Sequence, residues 1–238
     1  MSGANWEVEQ LRGSATGFHE RAVPEPPVAS LWWLDFDRPA VVLGSTQPRE
    51  IIDADAARHA DVEVVRRRSG GGAVHLIPGA VTWVDVVLPA DDPRWVSDIG
   101  RSFHWLGDVW VDVLVDLGVD GAVVHRGPLV RSRWSPLVCF AGLGPGEVTV
   151  GGRKVVGMAQ RRTRSWARFQ CALVHQWNPD GLVDLLALEP RDREAARFAL
   201  ADVAVGIDDL APGRGAPADG WSPAVVGALE RRLAALVG

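Results

Sequence analysis

A β-branched run at residues 62–65 ends in Arg66, Arg67 and Arg68, and the chain breaks after Ser69 at Gly70, Gly71 and Gly72 before resuming as Ala73-Val74. Glycine lacks a Cβ and reaches positive φ at little cost, so three in a row can lay bare backbone N–H groups against a ligand. The arginines bring planar, permanently charged donors to the same rim. Such a combination suits a carboxylate, a phosphate or an acyl-phosphate. An ordinary glycine turn with a solvated basic edge fits the same letters, so companion motifs must decide.

The main companion lies downstream, where residues 148–150 and 154–158 read as two short strands joined by the turn Gly151-Gly152. Of the 25 basic residues, Lys154 is the only lysine. A chain that meets every other need for positive charge with guanidinium has kept one ammonium. That points to a task for a compact point charge or a titratable amine. Cys139 stands shortly before this hairpin in Val138-Cys139-Phe140. A thiol near an ammonium and free amide donors would be a nucleophile with a stabilised oxyanion. The bland alternative is a small buried hydrophobe. Cys171, inside an apolar strand, reads as structural.

Arg67-Arg68-Ser69-Gly70-Gly71-Gly72-Ala73-Val74, followed by Gly152-Arg153-Lys154-Val155-Val156-Gly157-Met158-Ala159-Gln160, resembles the two signatures of the lipoate–protein ligase/octanoyltransferase family, relatives of the biotin protein ligases. Val41-Val42-Leu43-Gly44-Ser45-Thr46-Gln47 is similar to that family's strand ending in Gly-x-x-Gln. The resemblance implies attachment of a lipoyl or octanoyl group to one lysine of the lipoyl domains of 2-oxoacid dehydrogenases or of the glycine cleavage protein. It implies Lys154 and Cys139 as catalytic residues, and Arg67, Ser69, Gly70, Gly71, Gly72, Ala73, Gly157 and Ala159 as substrate-binding residues.

Two routes exist within the family. One takes the acyl group from a carrier thioester, with acyl carrier protein as a candidate donor, passes it through a cysteine and needs no cofactor or metal. Cys139-Phe140 and the ending Ala159-Gln160-Arg161 are similar to that branch. The other spends ATP and Mg on an acyl-adenylate, held here by Lys154, Arg67 and the glycine loop. A third reading is a non-catalytic lipoyl or fatty-acid binder, and departures from the family pattern motivate it. His75 comes one place early with no Asp after it, and Phe169-Gln170 stands where the family has His-Gly. Gly72 keeps the ligase form where the cysteine branch usually carries arginine.

With 238 residues, 47% hydrophobic and 23% charged, the chain suits one domain, with a core over residues 29–177 and a helical C-terminal extension over 178–238 too short for an accessory domain. A net charge of −5 argues against nucleic acid as the main partner. Residues 1–17 lack a signal-peptide pattern, and nothing approaches the run of about 20 apolar residues that spans a membrane. Just two cysteines point to a reducing, cytoplasmic setting.

The elements that must position these residues follow. Residues 6–17 predict an opening helix or extended arm, and prolines at 24, 26 and 27 stop it. Strands are expected at 29–36, 40–43, 62–65, 80–88, 123–126, 137–140 and 169–174, beside the hairpin. Asp53 can cap a short helix through His59. Trp83 and Asp85 share one strand face, and an aspartate in so apolar a strand needs a partner, expected among Arg66, Arg67 and Arg68. Phe103, Leu106, Trp110, Leu114 and Leu117 recur at helical spacing across 98–117. Further helices are expected at 179–188, 190–203 and 223–236, after a linker at 212–220. Strands in the middle and helices in the tail give an α+β fold, a central mixed or antiparallel sheet flanked by helices, like the biotin and lipoate ligases. The arginines at 161–168 offer a surface for an acidic lipoyl domain.

Overall fold

In the computed structural model, residues 6–211 and 215–236 are described. Their ten strands are β1 Glu7–Gly13, β2 Ser30–Phe36, β3 Ala40–Leu43, β4 Glu63–Arg66, β5 Val74–Leu76, β6 Val81–Pro89, β7 Ala122–Val124, β8 Val148–Val150, β9 Arg153–Arg162 and β10 Trp166–Val174. A seven-stranded sheet runs β1-β2-β6-β10-β9-β8-β7, and a three-stranded sheet runs β4-β3-β5. β1 lies parallel to β2 and β3 parallel to β4, while the other pairings are antiparallel. The fold is therefore a mixed-sheet α+β domain.

Every residue of β6 and β10 is buried, which is why both read as continuous apolar runs rather than alternating ones. Their side chains still alternate between two different cores. Val84, Val86 and Leu88 with Phe169, Cys171 and Leu173 face α3 (His104–Asp116) and α7 (Trp221–Ala235). Val81, Trp83 and Val87 with Ala172 and Val174 face the small sheet. Cys171 is thus on the helical side, away from the glycine loop, and burial pushes its thiol up from the ordinary value.

Several expectations hold locally. Asp53 Oδ1 accepts from the N–H groups of Asp55 and Ala56, both at 3.0 Å, and caps α2 (Ala54–His59). Gly151 and Gly152 take φ of 58° and 78°, the two left-handed residues that a two-residue hairpin needs. The extended-arm alternative for residues 6–17 holds through β1, an edge strand, which leads into α1 (Ala15–Glu20). Other expectations are corrected. α3 starts at His104, after one tight turn at Arg101–Phe103. Residues 137–140 form a turn, with Val138 bridged to Ala73, because the chain must bend there around the glycine loop.

The tail after Trp177 is integral. Helices occupy Asp180–Val183 (α4), Pro190–Leu200 (α5) and Ile207–Leu210 (α6), and Trp221, Val225, Leu229 and Leu233 of α7 join the core around α3. Val203 and Val205 pair with the backbone of Lys154 at 3.0 Å each, which ends the predicted 190–203 helix early. The expected linker begins outside the described residues, at 212–214. Among the described residues no helix is long and apolar enough to cross a membrane.

The partner of Asp85 is not in the 66–68 run. Arg168, directly along β10, pairs with Asp85 Oδ2, and Trp83 Nε1 donates to Oδ1 at 2.9 Å. Arg168 also donates to the carbonyls of Arg21 and Phe18 at 2.8 and 2.9 Å, pinning α1 to the sheet. Arg168 is buried and unavailable to a docking partner. Arg162 stacks on Trp95 and donates to Val96 O at 2.6 Å, so Arg164 alone of that arginine run is fully exposed.

Candidate active site

The glycine loop leaves β4 and folds back over the end of β3. A Cβ on Gly44 would lie 1.9 Å from Gly71 O, so a side chain there would expel the loop. Gln47 explains its spacing from Gly44. Its Oε1 accepts from Gly44 N at 2.9 Å, and its Nε2 donates to Pro136 O and Leu137 O at 2.7 and 3.1 Å. One side chain therefore ties the end of β3 to the segment that carries Cys139.

That segment presses on the loop from the other side. Ala73 N donates to Leu137 O at 2.8 Å and Cys139 N to Ala73 O at 2.9 Å. A Cβ on Gly72 would stand 2.6 Å from Cys139 N and from the Val138 carbonyl carbon. This contact accounts for glycine at position 72, where arginine has no room without moving the cysteine. Gly71 takes φ of 100°, and its Cβ position would be 2.8 Å from Arg67 Nη2 and 3.7 Å from Cys139 Sγ. The thiol thus faces the bend. Among the described residues, no protein acceptor takes the N–H of Gly70, Gly71 or Gly72. These are donors held free beside a sulfur.

Arg67 is not at the rim, as its position in a basic run suggested, but buried under the loop. Nε and Nη2 donate to Gly70 O at 3.3 and 2.7 Å, Nη2 to Gly72 O at 2.9 Å, and Nη1 to Val42 O at 3.0 Å. Burial lowers its pKa from the ordinary value, and Cys139 and Glu147 push back the other way. Arg66 and Arg68 are exposed. Ser69 Oγ donates to Gln170 Oε1 at 2.6 Å, and Gln170 Nε2 lies 3.1 Å from His19 Nδ1. Burial, with Arg168 and Arg67 adding to it, drops His19 from 6.5 to about 3, so its imidazole is neutral.

Lys154 is buried, 2% exposed. Its Nζ donates to Cys139 O at 2.9 Å and Glu147 Oε2 at 2.8 Å, and lies 5.1 Å from the centre of the Phe140 ring. The amine braces the backbone of the cysteine from behind. Gly157 passes under Phe140, whose ring would be 3.3 Å from a Cβ there.

Glu147 is the residue that motif reasoning missed. Besides Lys154, its oxygens accept from Gly144 N at 2.6 Å and Met158 N at 3.0 Å. A signal existed: Glu147 is the sole carboxylate between Asp120 and Asp180, so the unique lysine had one local counter-charge to find.

Two spaces meet at Cys139. An open cleft of about 680 Å³ is lined by the three glycines, Gln47, Glu147 and Gln160 among others. Beneath it a slot of about 10 Å³, room for one water at most, runs between Val74, Trp83, Phe140, Met158 and Ala172. Cys139, Met158 and Ala159 line both.

The sequence profile of the lipoyl protein ligase A/B catalytic domain matches residues 10–212. The chain belongs to that family. Octanoyltransferase LipM of Moorella thermoacetica is 32% identical over 163 residues, covering 68% of this chain and 58% of that protein. LipM of an Exiguobacterium strain is 25% identical over 226 residues, covering 88% and 80%. The chain spans under two thirds of the length of the Moorella relative and of a Clostridioides difficile LipM, 58% in each case. Among solved structures, the bipartite lipoate protein ligase of Thermoplasma acidophilum aligns with a TM-score of 0.72 at 17% identity, over 97% of this chain and 84% of that one. A lipoate-protein ligase A bound with ATP aligns at 0.67 and 20%, over 98% and 86%. At these identities the structural likeness carries the fold alone.

Proposed function

We propose that this chain is an acyltransferase that moves an octanoyl or lipoyl group from a carrier thioester, through Cys139, to the acceptor lysine of a lipoyl domain. The carrying observation is the place of the Cys139 sulfur. It sits against Gly71, where a wide cleft meets a narrow apolar slot, beside three amide donors that have no acceptor among the described residues. Relatives named octanoyltransferase support the same reading.

In this reading the Cys139 thiolate attacks the thioester carbonyl, and the N–H groups of the glycine bend receive the oxyanion. The C–S bond to the carrier breaks, the carrier thiolate takes a proton, and the acyl group rests on Cys139. The acceptor's neutral amine then attacks that thioester, the C–S bond to Cys139 breaks, and the amide forms as the nitrogen's proton passes to the departing Cys139 sulfur, which returns as the thiol. Lys154 and Glu147 hold the cysteine backbone in register. The slot must widen to admit an eight-carbon chain, and Phe140 and Met158 are among the side chains that line it. Two free cysteines suit a reducing, cytoplasmic setting.

The ATP-dependent route has one point in its favour, the third glycine at position 72, but Gly72 is already accounted for by its contact with Cys139. Mg and ATP fit the site poorly. Glu147, the one carboxylate lining the cleft, has both oxygens engaged, and the Lys154 amine is enclosed. The test is mass spectrometry after mixing with octanoyl-carrier thioester. Wild type should carry an acyl adduct on Cys139 that Cys139→Ser cannot hold as a thioester. No adduct on wild type, with lipoate-dependent ATP–pyrophosphate exchange, would replace this reading with the ligase.

A further inference from the structure

Charge is spread unevenly along this chain. Residues 121–179 hold nine of its 25 basic residues and one of its 30 acidic ones, Glu147, although the whole carries a net −5. Arg126, Arg133, Lys154 and Arg168 are in ion pairs, and Arg162 is held by Trp95 and the Val96 carbonyl. Arg131, Arg153, Arg161 and Arg164 have no carboxylate partner among the described residues.

Register brings one of these four to the active site. Arg161 stands opposite Arg168, on the face of β9 that also carries Gly157 and Ala159, and Ala159 lines both the cleft and the slot. Two residues along a strand span about 7 Å, so Arg161 is the next side chain on that face. Arg68 reaches the same place from the loop side. Its neighbour Ser69 donates to Gln170, which is paired with Ala159 across β9 and β10. The closeness registers at Arg161, whose pKa is lowered by burial and then by the charges of Arg68 and Arg168. Arg68 is exposed and Arg161 half-buried, its Cζ 5.4 Å from the centre of the Trp166 ring. Arg131 puts a third cation on the cleft wall, and Glu147, the carboxylate lining that cleft, is spent on Lys154, Gly144 N and Met158 N. Guanidinium groups side by side without a counter-ion repel one another, and an anion from outside relieves them.

We propose that Arg68 and Arg161 receive the phosphate of a phosphopantetheine arm, so that the acyl donor is recognised by the anion between its thioester and its carrier. This deepens the transferase reading and rests on it. Each arginine presents a planar fork of donors, and two forks can share one phosphate. Two amide links separate the phosphate of such an arm from the thioester sulfur. A phosphate held at Arg161 therefore leaves the arm to run along the cleft with its sulfur end toward Cys139. The cleft, about 680 Å³, is the space open to it, since the slot holds one water at most. The acceptor brings an amine, which this pair repels when protonated, so the pair serves the donor.

Calorimetric titration of the intact protein with two inert thioethers, S-octyl phosphopantetheine and S-octyl pantetheine, isolates the phosphate, because neither can acylate Cys139. Wild type should bind the phosphorylated ligand about tenfold more tightly or better, and less so at high salt. Arg68→Gln and Arg161→Gln should each cut that preference at least about threefold, with the loss confined to the phosphorylated ligand. Arg153→Gln, at the other end of β9 and about 30 Å away by strand rise, should leave the preference unchanged. Equal wild-type affinity for the two ligands would overturn the proposal. So would an Arg153→Gln loss as large as that of Arg68→Gln, which would mean a diffuse field. An Arg68→Gln variant that weakens binding of the acceptor lipoyl domain alone would overturn it too, and assign the pair to the acceptor. Octanoyl carrier protein and octanoyl-coenzyme A share the arm, and the lower half-saturating concentration for Cys139 adduct formation identifies the source. A phosphate preference with no adduct from either donor would overturn the transferase reading and leave this site standing; adducts without the preference would do the reverse.

Discussion

Replacing Glu147 with glutamine tests how the lysine is held. The change preserves a carbonyl oxygen for the N–H of Gly144 or Met158 but removes the only counter-charge of Lys154, in a pair whose side chains are 2% and 5% exposed. Breaking a buried pair by removing one partner costs about 3–5 kcal/mol, because the remaining charge stays desolvated. Glu147→Ala also strands two main-chain donors, at about 1–3 kcal/mol each, which brings it near the whole stability of an ordinary domain. Lys154→Met should cost a comparable amount to Glu147→Gln. The combined variant leaves no buried charge behind, so it should be more stable than the sum of the single changes predicts by about 2 kcal/mol or more. Urea unfolding followed by circular dichroism, at constant m, reads wild type and the four variants. Single costs that add to within about 0.5 kcal/mol would mean that the two side chains are not coupled, and the account of the braced cysteine would fail.

Acid should expose the neutral state of His19. Its pKa is about 3 folded and 6.5 free, so the unfolded chain takes up the proton first, and stability is full above pH 6.5 and falls between 6.5 and about 3. The slope for this group is about 1.4 kcal/mol per pH unit, and His19→Gln should flatten the stability–pH curve by roughly 2–3 kcal/mol at two units below 6.5. An unchanged acid limb would place the sensitivity in His75 or His175, which burial also lowers. Gly44→Ala puts a methyl 1.9 Å from Gly71 O, so the loop must shift. It should lose about 1–3 kcal/mol and form the Cys139 acyl adduct at least tenfold more slowly; an adduct at the wild-type rate would separate loop position from reactivity.

Much of the site was legible because each motif has a local cause. Gly-x-x-Gln is a close approach plus one side chain bridging two segments, and Gly151-Gly152 is a turn that glycine alone relaxes into. The illegible part is long-range charge matching. Asp85 needed a cation, and the nearest basic run in sequence was the wrong one, because β10 lies beside β6 and puts Arg168 there while Arg67 turns under its own loop. Composition told that Lys154 was special; it did not tell that the amine is held by the Cys139 carbonyl and the Glu147 carboxylate. The strand expected at 137–140 failed for a similar reason. Its letters are those of a strand, and the glycine loop it wraps decides its shape.

One last consequence concerns amine chemistry. Because the single lysine is enclosed by a carboxylate, a carbonyl and an aromatic ring, the folded protein offers no side-chain amine to solvent. If the proposed transfer to lysine holds, this chain has no exposed lysine of its own to acylate by mistake. The same shielding makes the residue a reporter, since an amine-reactive label can reach it only when β8, β9 and the segment at residues 203–205 that bridges to Lys154 part, and its labelling rate times that opening.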